Sequence, residues 1–111
     1  KVPSWHGLMK KITLYINDHY AEDLSVSQLA KLIGTSTSKF TRAFIRTLNI
    51  TPGKYINNIR LTAARQMLET TDKTLVEIAQ ETGFYDLSHF TRAFKRERKT
   101  TPGQYRRQHR P

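Results

Sequence analysis

The chain has 111 residues, with 19 Lys and Arg against 9 Asp and Glu, a formal net charge of +10, an isoelectric point near 10.2 and no cysteine. The missing cysteines exclude a disulfide framework and a thiolate zinc site, and no apolar run approaches the ~18 residues needed to span a bilayer. A balance this basic selects polyanionic partners, nucleic acid ahead of an anionic membrane, while the length allows one ordinary core or two very small ones.

The start, Lys1-Val2-Pro3-Ser4-Trp5, has no signal-peptide core, and Lys1 in place of Met suggests an excised or processed piece. From His6 to Tyr20, Leu8, Ile12, Tyr15, Ile16 and Tyr20 recur at helical spacing and predict a first helix with one buried stripe. Ser25 and Gln28 form a capping box and Gly34 a stop, which bounds a short second helix from Val26 to Ile33. Ser36 caps a third helix with the stripe Phe40, Ala43, Phe44 and Leu48, and Asn49 suits a left-handed terminator. The outcome is helix, tight turn, helix.

Thr51-Pro52 reads as cap and first helical residue, because proline there forfeits no hydrogen bond. Tyr55, Ile56, Ile59, Ala63, Met67 and Leu68 carry this long helix to about Glu69. Thr74 and Glu77 make another capping box, with Ile78, Ala79 and the stop Gly83 following. Asp86 caps a helix from Leu87 to about Arg98, and Thr101-Pro102 opens a closing helix containing Tyr105. No segment alternates as a strand would, so the expected fold is all-α with about seven helices.

The chain carries one unit twice. Phe40-Thr41-Arg42-Ala43-Phe44 recurs as Phe90-Thr91-Arg92-Ala93-Phe94, an offset of 50 that also maps Thr51-Pro52-Gly53 onto Thr101-Pro102-Gly103, Tyr55 onto Tyr105 and Arg60 onto Arg110. Upstream the offset is 49, Ala30 to Ala79 and Gly34 to Gly83, so the second copy has one extra residue after its glycine. The expected organisation is a first helix-turn-helix subdomain over 6–50, a linker helix over 51–70 and a second subdomain over 71–111.

Beside the apolar stripe the repeated helix carries a second one: Ser38, Thr41, Arg42 and Ile45, then Ser88, Thr91, Arg92 and Lys95. Short donors and long cations without a carboxylate suit the DNA major groove, where Arg bonds guanine in bidentate fashion and Ser or Thr reaches several base edges. The bland alternative for Arg42 and Arg92 is a solvated surface arginine or a salt bridge to Glu. For Phe40, Phe44, Phe90 and Phe94 the reading is core. Arg46, Arg96, Lys99 and Arg106 are candidate phosphate partners or cations placed for solubility, in a carboxyl-terminal stretch where Glu97 alone opposes eight cations. Ser36, Thr51 and Thr101 are caps first, with phosphate contact as an added role, and Lys54 lies beside Thr51.

Enzyme readings fail on inventory, with no Gly-rich phosphate loop, no His-Glu-x-x-His and the four histidines His6, His19, His89 and His109 dispersed. Neither a metal nor a cofactor is expected. His89, on the second repeated helix, is a base or phosphate contact, or else a solvent-exposed or core-flanking side chain, and Lys39 is its first-copy equivalent.

Ile78-Ala79, Gly83-Phe84, Phe90, Arg92, Phe94-Lys95, Pro102 and Tyr105-Arg106 together resemble the AraC/XylS family of bacterial transcription regulators, over about Leu8 to Arg110. The resemblance implies two helix-turn-helix lobes joined by a long helix, with the repeated helices as recognition helices. Base-facing roles then fall to Ser38, Thr41, Arg42, Ser88, Thr91 and Arg92, flanked by Lys39, Ile45, His89 and Lys95. Lys99 departs from the pattern, which usually has glycine there, and so does Asn49. The resemblance further implies activation through RNA polymerase, and an effector-sensing, dimerising domain at the amino end in many members. The isolated module is then a monomer, at work on the nucleoid in the cytoplasm.

A linker of about 18 residues spans roughly 27 Å, which with lobe width sets two recognition helices near one helical turn, about 34 Å, apart. Because Ile45 is matched by Lys95 and Lys39 by His89 across the repeat, the expected site is asymmetric. The rivals are an RNA-binding or membrane-surface basic helical protein, and a module docking an acidic partner.

Overall fold

The computed structural model describes residues 4–110, which fold as seven α-helices with no strand among them. Lys1 to Pro3 lie outside that span, and with them most of the amino-terminal stretch read for a signal peptide. The helices are α1 (Trp5–His19), α2 (Val26–Leu32), α3 (Thr37–Leu48), α4 (Pro52–Thr70), α5 (Leu75–Glu81), α6 (Leu87–Arg98) and α7 (Pro102–His109). They form two compact units that divide within α4, between Ile56 and Asn57.

Each boundary has a local cause. The Ser25–Gln28 and Thr74–Glu77 boxes are closed in both directions and start α2 and α5, while Asp86 accepts from the His89 amide at 2.7 Å to start α6. Gly34 and Gly83 stop the short helices with φ of 69° and 91°, a region where a Cβ is strained. Thr82, fully buried, is satisfied by donating its hydroxyl to the Ile78 carbonyl at 2.6 Å. The extra residue of the second copy sits in the turn after Gly83, where Phe84 turns inward and Tyr85 stands 89% exposed.

In the first unit α3 packs on α1 and α2, burying Met9, Ile12, Ile16, Leu29, Ala30, Phe40, Ala43 and Phe44. In the second, α6 packs on α5 and α7 around Leu61, Ala64, Leu68, Ile78, Ala79, Phe84, Phe90, Ala93, Phe94 and Tyr105. Aromatic edges run through both. Phe40, Phe44 and Tyr55 follow one another at 5.7 and 5.5 Å, and Phe84, Phe90, Phe94 and Tyr105 at 5.3, 5.9 and 5.4 Å, spacings typical of favourable ring pairs.

Two stripes differ from expectation. On α1 the buried line is Met9, Ile12 and Ile16, with Leu8, Tyr15 and Tyr20 only half-buried. A unit this small covers only a narrow stripe. On α4, Leu61, Ala64 and Leu68 are buried while Ile59, Ala63 and Met67 are half-buried. This helix serves two cores in succession, Ile56 in the first unit and the Leu61 line in the second, so one period along its length averages two demands.

α3 and α6 both end in left-handed residues, Asn49 at φ 58° and Lys99 at φ 64°. Asn adopts that region at less cost than Lys. Lys99→Gly is therefore expected to stabilise the chain by about 1 kcal/mol, seen as a higher denaturant midpoint. A lower midpoint would show that the Lys99 side chain contributes more than its backbone costs.

Candidate nucleic-acid interface

Burial of Phe40, Ala43 and Phe44 fixes the rotation of α3 about its axis, and Phe90, Ala93 and Phe94 do the same for α6. Helical geometry then leaves Ser38, Arg42 and Ile45 exposed on α3 and Ser88, Arg92 and Lys95 exposed on α6, with Thr41 and Thr91 half-buried at the edge of each stripe. The two faces match position for position. Neither Arg42 nor Arg92 makes an ion pair among the described residues, unlike the cations of the pairs His19–Glu22, Arg65–Glu69, Lys73–Glu81 and Arg110–Asp72. The salt-bridge alternative is thereby removed, and both residues are exposed.

Lys39, Arg46, Lys54, Arg96 and Lys99 are exposed. Ser36, Thr51 and Thr101 act as caps, each hydroxyl oxygen accepting at 3.2 Å, from the amides of Lys39, Lys54 and Gln104. A capping hydroxyl still has its own O–H to donate, so an anion contact is compatible with the cap.

Two of the expected contact residues, His89 and Arg106, have internal contacts. His89 is half-buried with its ring edge-on to Phe84 at 5.4 Å, which places the imidazole in contact with the rim of the core. Arg106 turns inward as well. Its guanidinium donates to the carbonyls of Leu68, Thr71 and Lys73 at 3.2, 3.2 and 2.7 Å, satisfying groups that the end of α4 leaves open. A signal for this existed in the repeat: Arg106 matches Ile56, which is buried, so the position faces inward in both copies.

Sequence reasoning also missed the polar clasp around Arg106. Arg110 donates to the Thr71 carbonyl at 2.7 Å and to Asp72 at 2.8 Å. Tyr105 donates its hydroxyl to Glu69, and Arg65 pairs with the same carboxylate at 3.0 Å. These contacts fasten α7 to the end of α4, and they withdraw two cations from the basic carboxyl-terminal surface.

The clasp has a pH signature. The Tyr105 hydroxyl, and after it Arg65, hold the Glu69 carboxyl below its ordinary 4.5 against partial desolvation, and the Thr74 backbone amide lowers Glu77 likewise. A folded-state pKa below the unfolded one contributes stability above the unfolded value that is lost as pH falls through the folded value. Burial and Glu69 raise the Tyr105 phenol above 10.0, so its contribution holds below that value and is lost as pH rises through the folded one. Unfolding free energy is expected to decline as acid is taken below pH 4.5, and Glu69→Gln to flatten that limb in urea titrations. An unchanged acid limb in Glu69→Gln would rule the clasp out as its source.

Among the described residues no helix is long and apolar enough to cross a membrane, and no cluster of side chains could hold a metal. A family model described as a helix-turn-helix domain matches residues 29–108. The chain is 35% identical over 88 residues to the uncharacterized HTH-type transcriptional regulator YbfI of Bacillus subtilis, covering 79% of this chain and 32% of that protein. It spans about a third of the length of the curated relatives it matches. An AraC-type DNA-binding-domain regulator from Chromobacterium violaceum superposes with a TM-score of 0.82 at 29% identity, covering 93% of this chain and 92% of the other. The DNA-binding domain of AdpA, solved with a target DNA, superposes with a TM-score of 0.87 at 25% identity, covering 90% of each chain. Doubled aromatic cores, doubled helix-turn-helix geometry and these matches agree: the chain belongs to the AraC/XylS-type family of helix-turn-helix domains.

Proposed function

We infer that this chain binds double-stranded DNA in a sequence-specific manner, with α3 and α6 as recognition helices in successive major grooves, and that it regulates bacterial transcription as the DNA-binding portion of a longer regulator. The observation that carries the reading is the acid-free stripe of Ser, Thr and unpaired Arg at matching positions of two equivalent helices. Ser38, Thr41, Arg42, Ser88, Thr91 and Arg92 read base edges, with Lys39, Ile45 and Lys95 at the margins. Arg46, Lys54, Arg96 and Lys99, helped by the caps Ser36, Thr51 and Thr101, hold phosphates and set the register. His89 and Arg106 take structural roles in this scheme.

Ile45 against Lys95 and Lys39 against His89 make the two halves of the site unlike, so the target is an asymmetric promoter sequence. The resemblance extends the reading to activation through RNA polymerase, to a monomeric isolated module and dimeric longer protein, and to work at the nucleoid without catalysis or cofactor. An effector-sensing domain belongs to the same proposal.

Selection from a random duplex library is expected to enrich one asymmetric sequence with two blocks about one helical turn apart. Competition at physiological salt should leave that duplex bound in the presence of RNA and anionic vesicles. Enrichment of no sequence, or displacement by RNA, would replace this function with a general polyanion-binding one.

A further inference from the structure

Beside α3 lies an open pocket of about 400 Å³ lined by Trp5, Lys39, Arg42, Ala43 and Arg46. Lys39, Arg42 and Arg46 are spaced three and four apart and form one cationic rail along α3. Trp5, the single tryptophan of the chain and 37% exposed, makes the facing wall from the first turn of α1. No carboxylate lines the pocket, and none of the three cations has an ion pair among the described residues. Three like charges beside one concavity repel one another, and a bound anion relieves that repulsion.

In the second unit the position equivalent to Trp5 carries no indole. Met9, Ile12 and Ile16 on α1 correspond in spacing to Leu61, Ala64 and Leu68 on α4, so the position four before Leu61, matching Trp5, is Asn57. Its rail is weaker too, because Lys39 is replaced by His89, whose ring lies against Phe84.

We propose that the Trp5 pocket seats the sugar–phosphate backbone of DNA at the rim of the groove that α3 enters. Arg46 and, from the margin of the base-reading stripe, Lys39 pair with phosphodiesters, and the indole covers the deoxyribose between them, its apolar face on the sugar and its N–H toward an oxygen. The first unit thereby holds DNA through a sequence-independent anchor that the second unit does not have. This proposal rests on the DNA-binding reading above and adds a contact that reading does not require.

Trp5 reports on its own environment, because no other indole contributes to emission. Titrating the whole chain with the selected duplex and with a random duplex is expected to change Trp5 emission and shield it from acrylamide, saturating together with the gel shift. Trp5→Ala should weaken both duplexes by the same factor, about five-fold, equivalent to ~1 kcal/mol, leave the salt slope unaltered, and be largely restored by Trp5→Phe. Lys39→Ala and Arg46→Ala should each lower the slope by about one ion. A gel shift that saturates while emission and acrylamide access stay constant overturns the proposal, as does a Trp5→Ala loss confined to the selected duplex. The emission arm uses the unsubstituted chain and does not depend on the variants folding. No gel shift with any duplex overturns the DNA-binding reading itself, and the anchor with it.

Discussion

Arg92→Ala is expected to cost about 1–3 kcal/mol in binding the selected duplex and to relax preference at one base position of the second half-site, as loss of a bidentate base contact does. Arg42→Ala should act in the same way on the first half-site. The basis is geometric: Phe90, Ala93 and Phe94 commit one side of α6 to the core, and Arg92 projects from another with no internal partner to retain it. On random duplex the loss should be much smaller, since a base contact contributes little where no cognate base is present. Library selection repeated with each variant measures this. Equal losses on selected and random sequence would reassign both arginines to phosphate.

The second large effect is on stability. Phe94 is fully buried and links Phe90 to Tyr105 through edge contacts at 5.9 and 5.4 Å. Phe94→Ala is expected to cost about 3–5 kcal/mol, from lost transfer free energy and the cavity left behind. Units of this size have small cores and correspondingly thin margins, so the substitution should leave the amides of α5, α6 and α7 exchanging rapidly at neutral pH. Urea unfolding and hydrogen exchange read the two quantities. A cost below about 1 kcal/mol would mean that neighbouring rings collapse into the space and that the aromatic chain is not what fixes the rotation of α6. Because that rotation aims Arg92, the same variant should bind DNA poorly even where part of it remains folded.

Much of the fold was open to inspection before any coordinates. The Ser25 and Thr74 boxes, the Gly34 and Gly83 stops and the Asn49 terminator all stand where local chemistry puts them, because a cap is satisfied by atoms three or four residues away. Division of the chain within α4 was not legible, since the helix is continuous in its own hydrogen bonds and only contacts from elsewhere assign Ile56 to one unit and Leu61 to the other.

For the site the boundary falls in a similar place. The amino-acid order by itself determined that one unit occurs twice and that each copy exposes a Ser-Thr-Arg stripe beside a Phe-Ala-Phe core, because helical period ties a residue's face to its number. Only the tertiary structure decided which cations are engaged within the chain. Arg106 and Arg110 are spent on carbonyls more than thirty positions away, at the end of α4, and His89 leans on Phe84. Trp5 joins the wall of the Lys39–Arg46 rail. Periodicity encodes direction around one helix axis; which distant carbonyl, ring or cation waits in that direction is set by how the helices pack.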